Sequence, residues 1–173
     1  MPTTIGYRPG LTTSWLWSGG DRVMNIAGVT QGVVVQGQKS PSFLDSISPF
    51  HLPAFIRWRF EATISVAAVT GRELTLFVGQ SDNGLAASNN PGGLTGASSI
   101  LANGYYLLGQ LDRVGSMPLS ANRATNLQRV WLTSYPKSPY QIPVVYNDSG
   151  QTLSALSAAH GIWATPYYQT IES

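Results

Sequence analysis

The sequence predicts an all-β fold, an antiparallel sandwich or barrel of about eight or nine short strands. Over residues 55–68 every even-numbered position is apolar and most odd-numbered positions are polar, which is the pattern of a strand with one buried face. Turn sequences containing glycine, proline or asparagine recur along the chain at intervals of about 8–12 residues. The sequence shows no sustained amphipathic helix pattern. A parallel α/β fold is therefore disfavoured, because it needs crossover helices.

Residues 1–38 are predicted to be an N-terminal arm or a set of edge strands. Short strands are expected over residues 14–17, 23–27 and 32–36. The arm is too short and too poor in apolar residues to fold alone, so we expect one globular domain with the β-sandwich over residues 39–173. Residues 40–50 hold three apolar side chains at helical spacing after a serine and predict a single helical turn: Phe43, Leu44 and Ile47.

The centre of the chain has the clearest strand pattern. Seven alternating apolar residues begin at Ile56 and include Trp58 and Phe60, while the residues between them are mostly polar. Residues 72–80 repeat the alternation after a Thr-Gly pair. We therefore predict that the strands over residues 55–68 and 72–80 form an antiparallel hairpin, with Trp58 and Phe60 in the core.

A long surface loop is predicted after this hairpin, over residues 85–103. The segment is rich in glycine, alanine, serine and asparagine and has too little apolar bulk to fill a core. Loops of this length are usually functional or mobile. Further strands are predicted over residues 105–114, 127–135, 142–146 and 161–168, with a tight turn at residues 147–150.

Low charge limits the classes of partner. Only 10% of the 173 residues are charged, 10 basic against 8 acidic, so the pI near 9.0 reflects scarcity of charge and not a basic surface. The basic residues are spread along the chain, and we expect no nucleic-acid partner. The sequence has no cysteine, no signal-peptide pattern and no apolar run of about 20 residues. We therefore expect no thiolate site, no membrane partner, and synthesis as a soluble protein in the cytoplasm.

No pattern in the sequence predicts an active site. His51 lies in a proline-bracketed turn and His160 at the start of a strand, and neither has the surroundings of a nucleophile elbow. Glu61 and Glu73 could face each other across the hairpin, but Glu61 shares its face with arginines, so cross-strand ion pairing explains it more simply. Three aspartates lie in turn sequences that explain them fully, Asp21, Asp82 and Asp148, and only the last two are considered as alternative metal ligands. We predict no enzymatic activity, no metal site and no cofactor.

Aromatic residues are grouped near both ends of the chain. Trp15 and Trp17 share one side of a short N-terminal strand, and Trp163, Tyr167 and Tyr168 lie on the last strand. Sugar-binding platforms and protein interfaces both use such side chains. A protein interface explains those outside the core better than a sugar site, because no cluster of Asp, Asn and Arg accompanies them.

From Phe55 to the C-terminus, the order of the segments resembles that of the jelly-roll head decoration, or cement, proteins of tailed bacteriophages. The matching segments are residues 56–64, residues 74–78 with the turn Ser81-Asp82-Asn83-Gly84, the proline-rich residues 135–139, residues 142–151, and Ile162, Pro166, Tyr167, Tyr168 and residues 171–173. The family often has an acidic, tyrosine-bearing segment after this turn, where the chain has the neutral loop over residues 85–103. The first forty residues, 1–40, do not match.

The resemblance implies a jelly-roll β-sandwich of about eight strands with an extended N-terminal arm and no enzymatic activity. It implies a structural virion protein on the outer surface of a phage capsid, which binds the major capsid protein and stabilises the head by bridging capsomers. A homo-oligomer is expected, first a trimer and next a dimer. The residues predicted to contact the capsid or a neighbouring protomer are Arg8, Trp15, Trp17, Trp163, Tyr167 and Tyr168. The low charge is consistent with an assembly role, because charges are depleted at interface cores.

Two alternative functions stay open. The first is a receptor- or carbohydrate-binding β-sandwich module of a phage tail or baseplate, since sandwiches serve that role too. Such a module would bind a glycan without binding assembled heads. The second is a jelly-roll enzyme, which would need convergent acidic or histidine residues and would lose its activity on a change at His160 or Glu61.

Overall fold

The computed structural model confirms the all-β sandwich. It describes residues 4–18, 20–47, 51–64, 72–85, 90–91, 94–101, 104–119, 127–156 and 160–172. Two sheets pack face to face around a common core. No helix in these residues is long and apolar enough to cross a membrane.

Within the described residues, sheet A has six strands and sheet B has five. The strands of sheet A are β1 (Thr4–Pro9), β2 (Thr13–Leu16), β3 (Arg22–Val23), β5 (Phe55–Ala62), β9 (Gln128–Ser134) and β11 (Gly161–Glu172). Their order is β3-β2-β11-β5-β9, and β1 pairs with the far end of β11. The strands of sheet B are β4 (Val34–Gln36), β6 (Glu73–Ser81), β7 (Ser99–Leu101), β8 (Asp112–Pro118) and β10 (Tyr140–Asp148). Their order is β7-β4-β10-β6-β8.

The eight principal strands have the jelly-roll connectivity. They form four nested antiparallel pairs along the chain: β2 with β11, β4 with β10, β5 with β9, and β6 with β8. Successive pairs, taken from the ends of the chain inward, contribute to sheets A, B, A and B in turn. The chain therefore corresponds to one long hairpin that is rolled up, with the connection from β6 to β8 at its tip. Residues 1–38 contribute β2 and β4 to this sandwich, in addition to the edge strands β1 and β3.

The predicted hairpin between residues 55–68 and 72–80 is wrong. Both strands exist, but β5 pairs with β11 and β9 in sheet A, while β6 pairs with β10 and β8 in sheet B. Their apolar faces meet across the core, where Trp58 and Phe60 belong to the same buried cluster as Leu74 and Leu76. Alternation identifies the buried face of a strand but not its hydrogen-bonded neighbours, which explains the error. Residues 65–68 lie outside the described residues.

The core between the sheets contains two tryptophans in contact. Trp15 and Trp58 have ring centroids 5.8 Å apart, and both are completely enclosed. Each indole N–H has a partner: Trp15 donates to the Gln38 carbonyl at 2.7 Å and Trp58 to the Ser134 hydroxyl at 2.7 Å. Since buried indoles are stable when their single donor is satisfied, these contacts fix β2 and β9 against the core.

Sheet B is also covered on its outer face. Ile142 and Val144 of β10 point away from the main core and pack with Leu94 and Leu111 in a second buried cluster. The continuous apolar run in β10 is explained by this burial on both faces. The prediction of a surface loop over residues 85–103 is therefore wrong in part, because Leu94 is buried and residues 99–101 form β7.

Two further local predictions differ from the structure. Residues 104–110 form a 3₁₀ helix, and the strand predicted over residues 105–114 begins only at Asp112. Of the helical turn predicted over residues 40–50, the described part has no helix, because Phe43 is held by a long-range backbone bond to Pro139. Leu44 is half-buried, Ile47 is exposed, and residues 48–50 lie outside the described residues.

Candidate functional site

The outer face of sheet A is exposed and rich in aromatic and arginine side chains. Because side chains alternate across a strand, the residues opposite the core share this face. We define the sheet A face by its outward residues: Ile5 and Tyr7 of β1, Phe55, Arg57, Arg59 and Glu61 of β5, Arg129 and Trp131 of β9, and Trp163, Tyr167 and Ile171 of β11. Four of the larger apolar members are more than half exposed: Ile5, Tyr7, Trp131 and Ile171.

Three aromatic rings form a continuous row at one end of the sheet A face. Phe55 and Tyr167 are direct cross-strand partners and stack with centroids 4.8 Å apart. Tyr7 packs its ring edge-on against Phe55 at 5.2 Å. Such pairs contribute about 0.5–1.5 kcal/mol beyond the area that they bury. The row therefore holds β1 against the sheet while leaving Tyr7 accessible.

Two arginine–tryptophan contacts form the middle of the sheet A face. The Arg59 guanidinium lies 3.8 Å from the centre of the Trp163 ring, and Arg57 lies 5.3 Å from that of Trp131. Cation–π contacts of this type stabilise the rings in fixed orientations. Gly161 makes the first contact possible, because a Cβ there would be 2.7 Å from Cζ3 of the Trp163 indole. The Trp163 ring can extend over Gly161 only because no side chain projects from that position.

One carboxylate balances two of the arginines. Glu61 is buried, and its Oε1 atom accepts from Arg129 and lies 3.4 Å from Nε of Arg59. The Arg129 pair joins β5 to β9, which is cross-strand ion pairing of the kind expected for Glu61. Among the described residues no carboxylate pairs with Arg57, which leaves the sheet A face with more positive than negative charge.

The predicted interface residues fall into two groups. Trp163 and Tyr167 lie on the sheet A face, and Trp17 is 48% exposed just beyond the end of β2. Trp15 and Tyr168 point to the other side and are buried, so a partner cannot reach their rings while the core is intact.

Arg8 points inward from β1 and is engaged within the chain. Its guanidinium donates to the Asp45 carboxylate at 2.6 Å and lies 5.3 Å from the centre of the Tyr168 ring. The Ile47 backbone N–H and Arg8 hold the pKa of Asp45 below its usual value. The Tyr168 hydroxyl donates to the Phe43 carbonyl at 2.8 Å. Arg8 therefore fastens β1 to residues 43–47.

The two histidines have different surroundings. His160 is buried: its Nδ1 accepts from the Thr63 backbone N–H at 3.4 Å, and its Nε2 donates to the Ser154 carbonyl at 2.7 Å. These partners suit the neutral imidazole, and burial lowers the pKa of His160 below its usual value, an effect larger than that of the Ser154 hydrogen bond, which raises it. His51 is exposed, and its backbone carbonyl accepts from the Asp45 N–H.

The acidic residues are also occupied or dispersed. Glu61 and Glu73 lie on different sheets and do not face each other, and Glu73 pairs with Arg113 at 2.9 Å. Asp148 pairs with Arg72 at 2.6 Å, whereas Asp82 is exposed. Asp21 accepts from the Ser14 N–H and hydroxyl, which lower the pKa of its carboxyl. No group of three or more potential metal ligands occurs within the described part of the chain.

The sequence reasoning missed several members of the sheet A face. The alternation over residues 55–68 places Arg57 and Arg59 on the exposed side of the strand, but it does not indicate that they contact tryptophans. Trp131 lies in the predicted strand over residues 127–135, but apolar residues occupy both phases of that segment, so the sequence signals a strand without indicating which way the ring points. Tyr7 has no such signal, because β1 is recognisable only from its pairing with β11.

Comparisons with known proteins add no identification. No protein-family model matches the chain, and a search of curated proteins finds no significant match.

Proposed function

We propose that the protein is a structural virion protein, a capsid decoration or cement protein that binds the outside of a phage head through the sheet A face. The observation that supports this proposal most directly is the exposure of aromatic and arginine side chains on the sheet A face. The jelly-roll connectivity agrees with the sequence resemblance but does not by itself indicate a function.

The composition of the sheet A face suits a protein interface. Tryptophan, tyrosine and arginine are the residues most enriched among those that dominate binding energy. Here their side chains are fixed by stacking, as in Phe55 with Tyr167, or by cation–π contact, as in Arg59 with Trp163. A pre-ordered side chain loses little conformational freedom on binding, so more of its contact energy appears as affinity.

The charge of the sheet A face indicates the complementary surface. Among the residues that define the sheet A face, three arginines outnumber the carboxylate of Glu61, and Arg57 is exposed. Complementary potentials determine partner choice and orientation more than affinity. We therefore propose that the major capsid protein presents acidic and apolar groups where this face docks.

Bridging explains how such docking stabilises a head. A protein that binds the assembled shell but not its separated subunits favours the assembled state by mass action. A homo-oligomer, with a trimer favoured, would place several copies of the sheet A face across adjacent capsomers. The exposed Trp17 and the β1 strand with Tyr7 lie near the edge of the sheet, where a neighbouring protomer could contact them.

Cosedimentation with assembled heads tests the proposal. The wild-type protein should pellet with mature phage heads that lack it, and Trp131→Ala should weaken binding about 30-fold, as expected for a residue that dominates an interface. Tyr105→Ala is the matched control, because this tyrosine is similarly exposed but lies over the outer face of sheet B. Absence of wild-type binding, or equal loss in both variants, would contradict the proposal.

A further inference from the structure

A groove of about 440 Å³ lies on the outer face of sheet B, opposite the sheet A face. The 3₁₀ helix forms one wall, and β6, β8 and β10 form the floor and the other wall. Its principal lining residues are Glu73, Phe77, Tyr105, Leu108, Arg113 and Tyr146. The volume is within the range of about 300–1,000 Å³ typical of small-molecule sites.

Aromatic rings line one side of this groove at fixed angles. Tyr105 and Tyr146 have centroids 5.7 Å apart and ring planes at 60° to each other. Tyr105 is 63% exposed and directly follows Gly104, which is buried against the sheet. Gly104 permits this packing, because a Cβ there would lie 2.6 Å from the Val34 side chain. The exposed ring is therefore positioned by its backbone.

A charge pair lines the other side. Nη2 of Arg113 donates to Oε1 of Glu73 at 2.9 Å, and the Thr75 hydroxyl donates to the same oxygen at 3.1 Å. A hydrogen bond from Ser116, together with Thr75 and Arg113, holds the pKa of Glu73 below its usual value. Both groups are partly exposed to the groove. A carboxylate accepts up to about four hydrogen bonds and a guanidinium donates up to five, so both keep capacity for a ligand.

We propose that this groove binds a neutral pyranose sugar. The faces of aromatic rings pack against the apolar C–H face of a sugar ring, and a carboxylate beside a guanidinium can bind its vicinal hydroxyls. The two charges of Glu73 and Arg113 compensate each other, as do those of Arg72 and Asp148 nearby. An acidic sugar or a phosphate would need an excess of positive charge, so a neutral ring is the better match.

The sugar site and the docking face are independent. They lie on opposite outer faces of the sandwich and share no residue. A sheet A face that is docked on a partner would leave the groove open to solvent. Sugar binding therefore neither requires nor excludes the function proposed for the sheet A face.

NMR titration of the full chain tests the proposal. The probes are the methyl glycosides of glucose, galactose, mannose and N-acetylglucosamine, added to ¹⁵N-labelled protein, with glucuronic acid as the charged comparison. At least one neutral glycoside should bind with a dissociation constant on the order of 1 mM. Its binding should shift the amide signals of residues 73–77, 104–113 and 146. Tyr105→Ala should weaken that binding about 5- to 10-fold, and Glu73→Gln should weaken it as well.

Trp131→Ala is the matched control and should bind the sugar like the wild type, since it changes the opposite face. No shift with any of the four glycosides, shifts confined to other residues, or tighter binding of glucuronic acid would overturn the proposal.

The same variants separate the two functions. Loss of head binding in Trp131→Ala and loss of sugar binding in Tyr105→Ala are different outcomes, so either proposal can fail alone.

Discussion

Leu94 provides a direct stability test of how the jelly-roll tip covers sheet B. Its side chain is 3% exposed and packs with Leu111, Ile142 and Val144 on the outer face of the sheet. The surrounding sequence has the composition of a surface loop, so a solvent-exposed leucine would be the ordinary expectation. Leu94→Ala therefore distinguishes a covering layer from a loosely attached loop.

The expected cost of Leu94→Ala is about 3 kcal/mol. Burying a leucine side chain contributes about 1.5–3 kcal/mol, and the cavity left behind adds to the loss, giving about 2–5 kcal/mol for such changes. For a chain of this length, about 3 kcal/mol corresponds to a fall in melting temperature of about 6–12 °C. Urea unfolding followed by tryptophan fluorescence, with calorimetry, measures both quantities.

Leu85→Ala is the matched control, because Leu85 belongs to the same chain segment but is 67% exposed. It should change the free energy of unfolding by less than about 0.5 kcal/mol. Equal effects of the two substitutions would refute the assignment of Leu94 to a second core. An effect confined to Leu94→Ala would support it.

Three further substitutions test individual contacts. His160→Gln should make the stability of the protein less dependent on pH, as measured by urea midpoints between about pH 7 and pH 5. Burial lowers the folded-state pKa of His160. Its contribution to stability is therefore complete above the unfolded-state pKa near 6.5 and is lost as the pH falls through the folded-state pKa. Lys39→Met should lower the free energy of unfolding in urea by about 2 kcal/mol, because the buried ammonium donates to a hydroxyl and two carbonyls. The control Lys137→Met, at an exposed site, should leave the stability unchanged. Equal effects of the two substitutions would exclude a stabilising role for the Lys39 hydrogen bonds. Gly161→Ala should displace the Trp163 ring, lower the free energy of unfolding by about 1–3 kcal/mol and weaken head binding. Unchanged stability and binding would show that neither depends on the position of the Trp163 ring.

The sequence predicts the fold class because burial on one face produces a period of two. Trp58 and Phe60 lie in the core as the alternation predicts, and the β11 segment is an extended strand. Which strands pair cannot be predicted in the same way. Strand pairing depends on contacts between distant segments, such as Glu61 with Arg129, and no local sequence pattern encodes these contacts.

The prediction of the candidate site is limited by the same physics. Trp15 and Trp163 look alike in the sequence, but one is enclosed by Trp58 and the other lies under Arg59 on the outer face. Burial is decided by which strands pair, so a tryptophan cannot be assigned to core or surface before the topology is known. The groove on sheet B is still less predictable, because Glu73 and Tyr105 line the same groove only once the connection from β6 to β8 has packed on the outer face of sheet B.

An electron-microscopy map of decorated phage heads tests the central claim most directly. The account predicts density for the sandwich on the outside of the capsid, with Arg57, Trp131 and Trp163 against the shell or a neighbouring protomer. The groove at Tyr105 should then face solvent. Absence of the protein from the head surface, or a docked orientation that leaves the sheet A face exposed, would contradict the account.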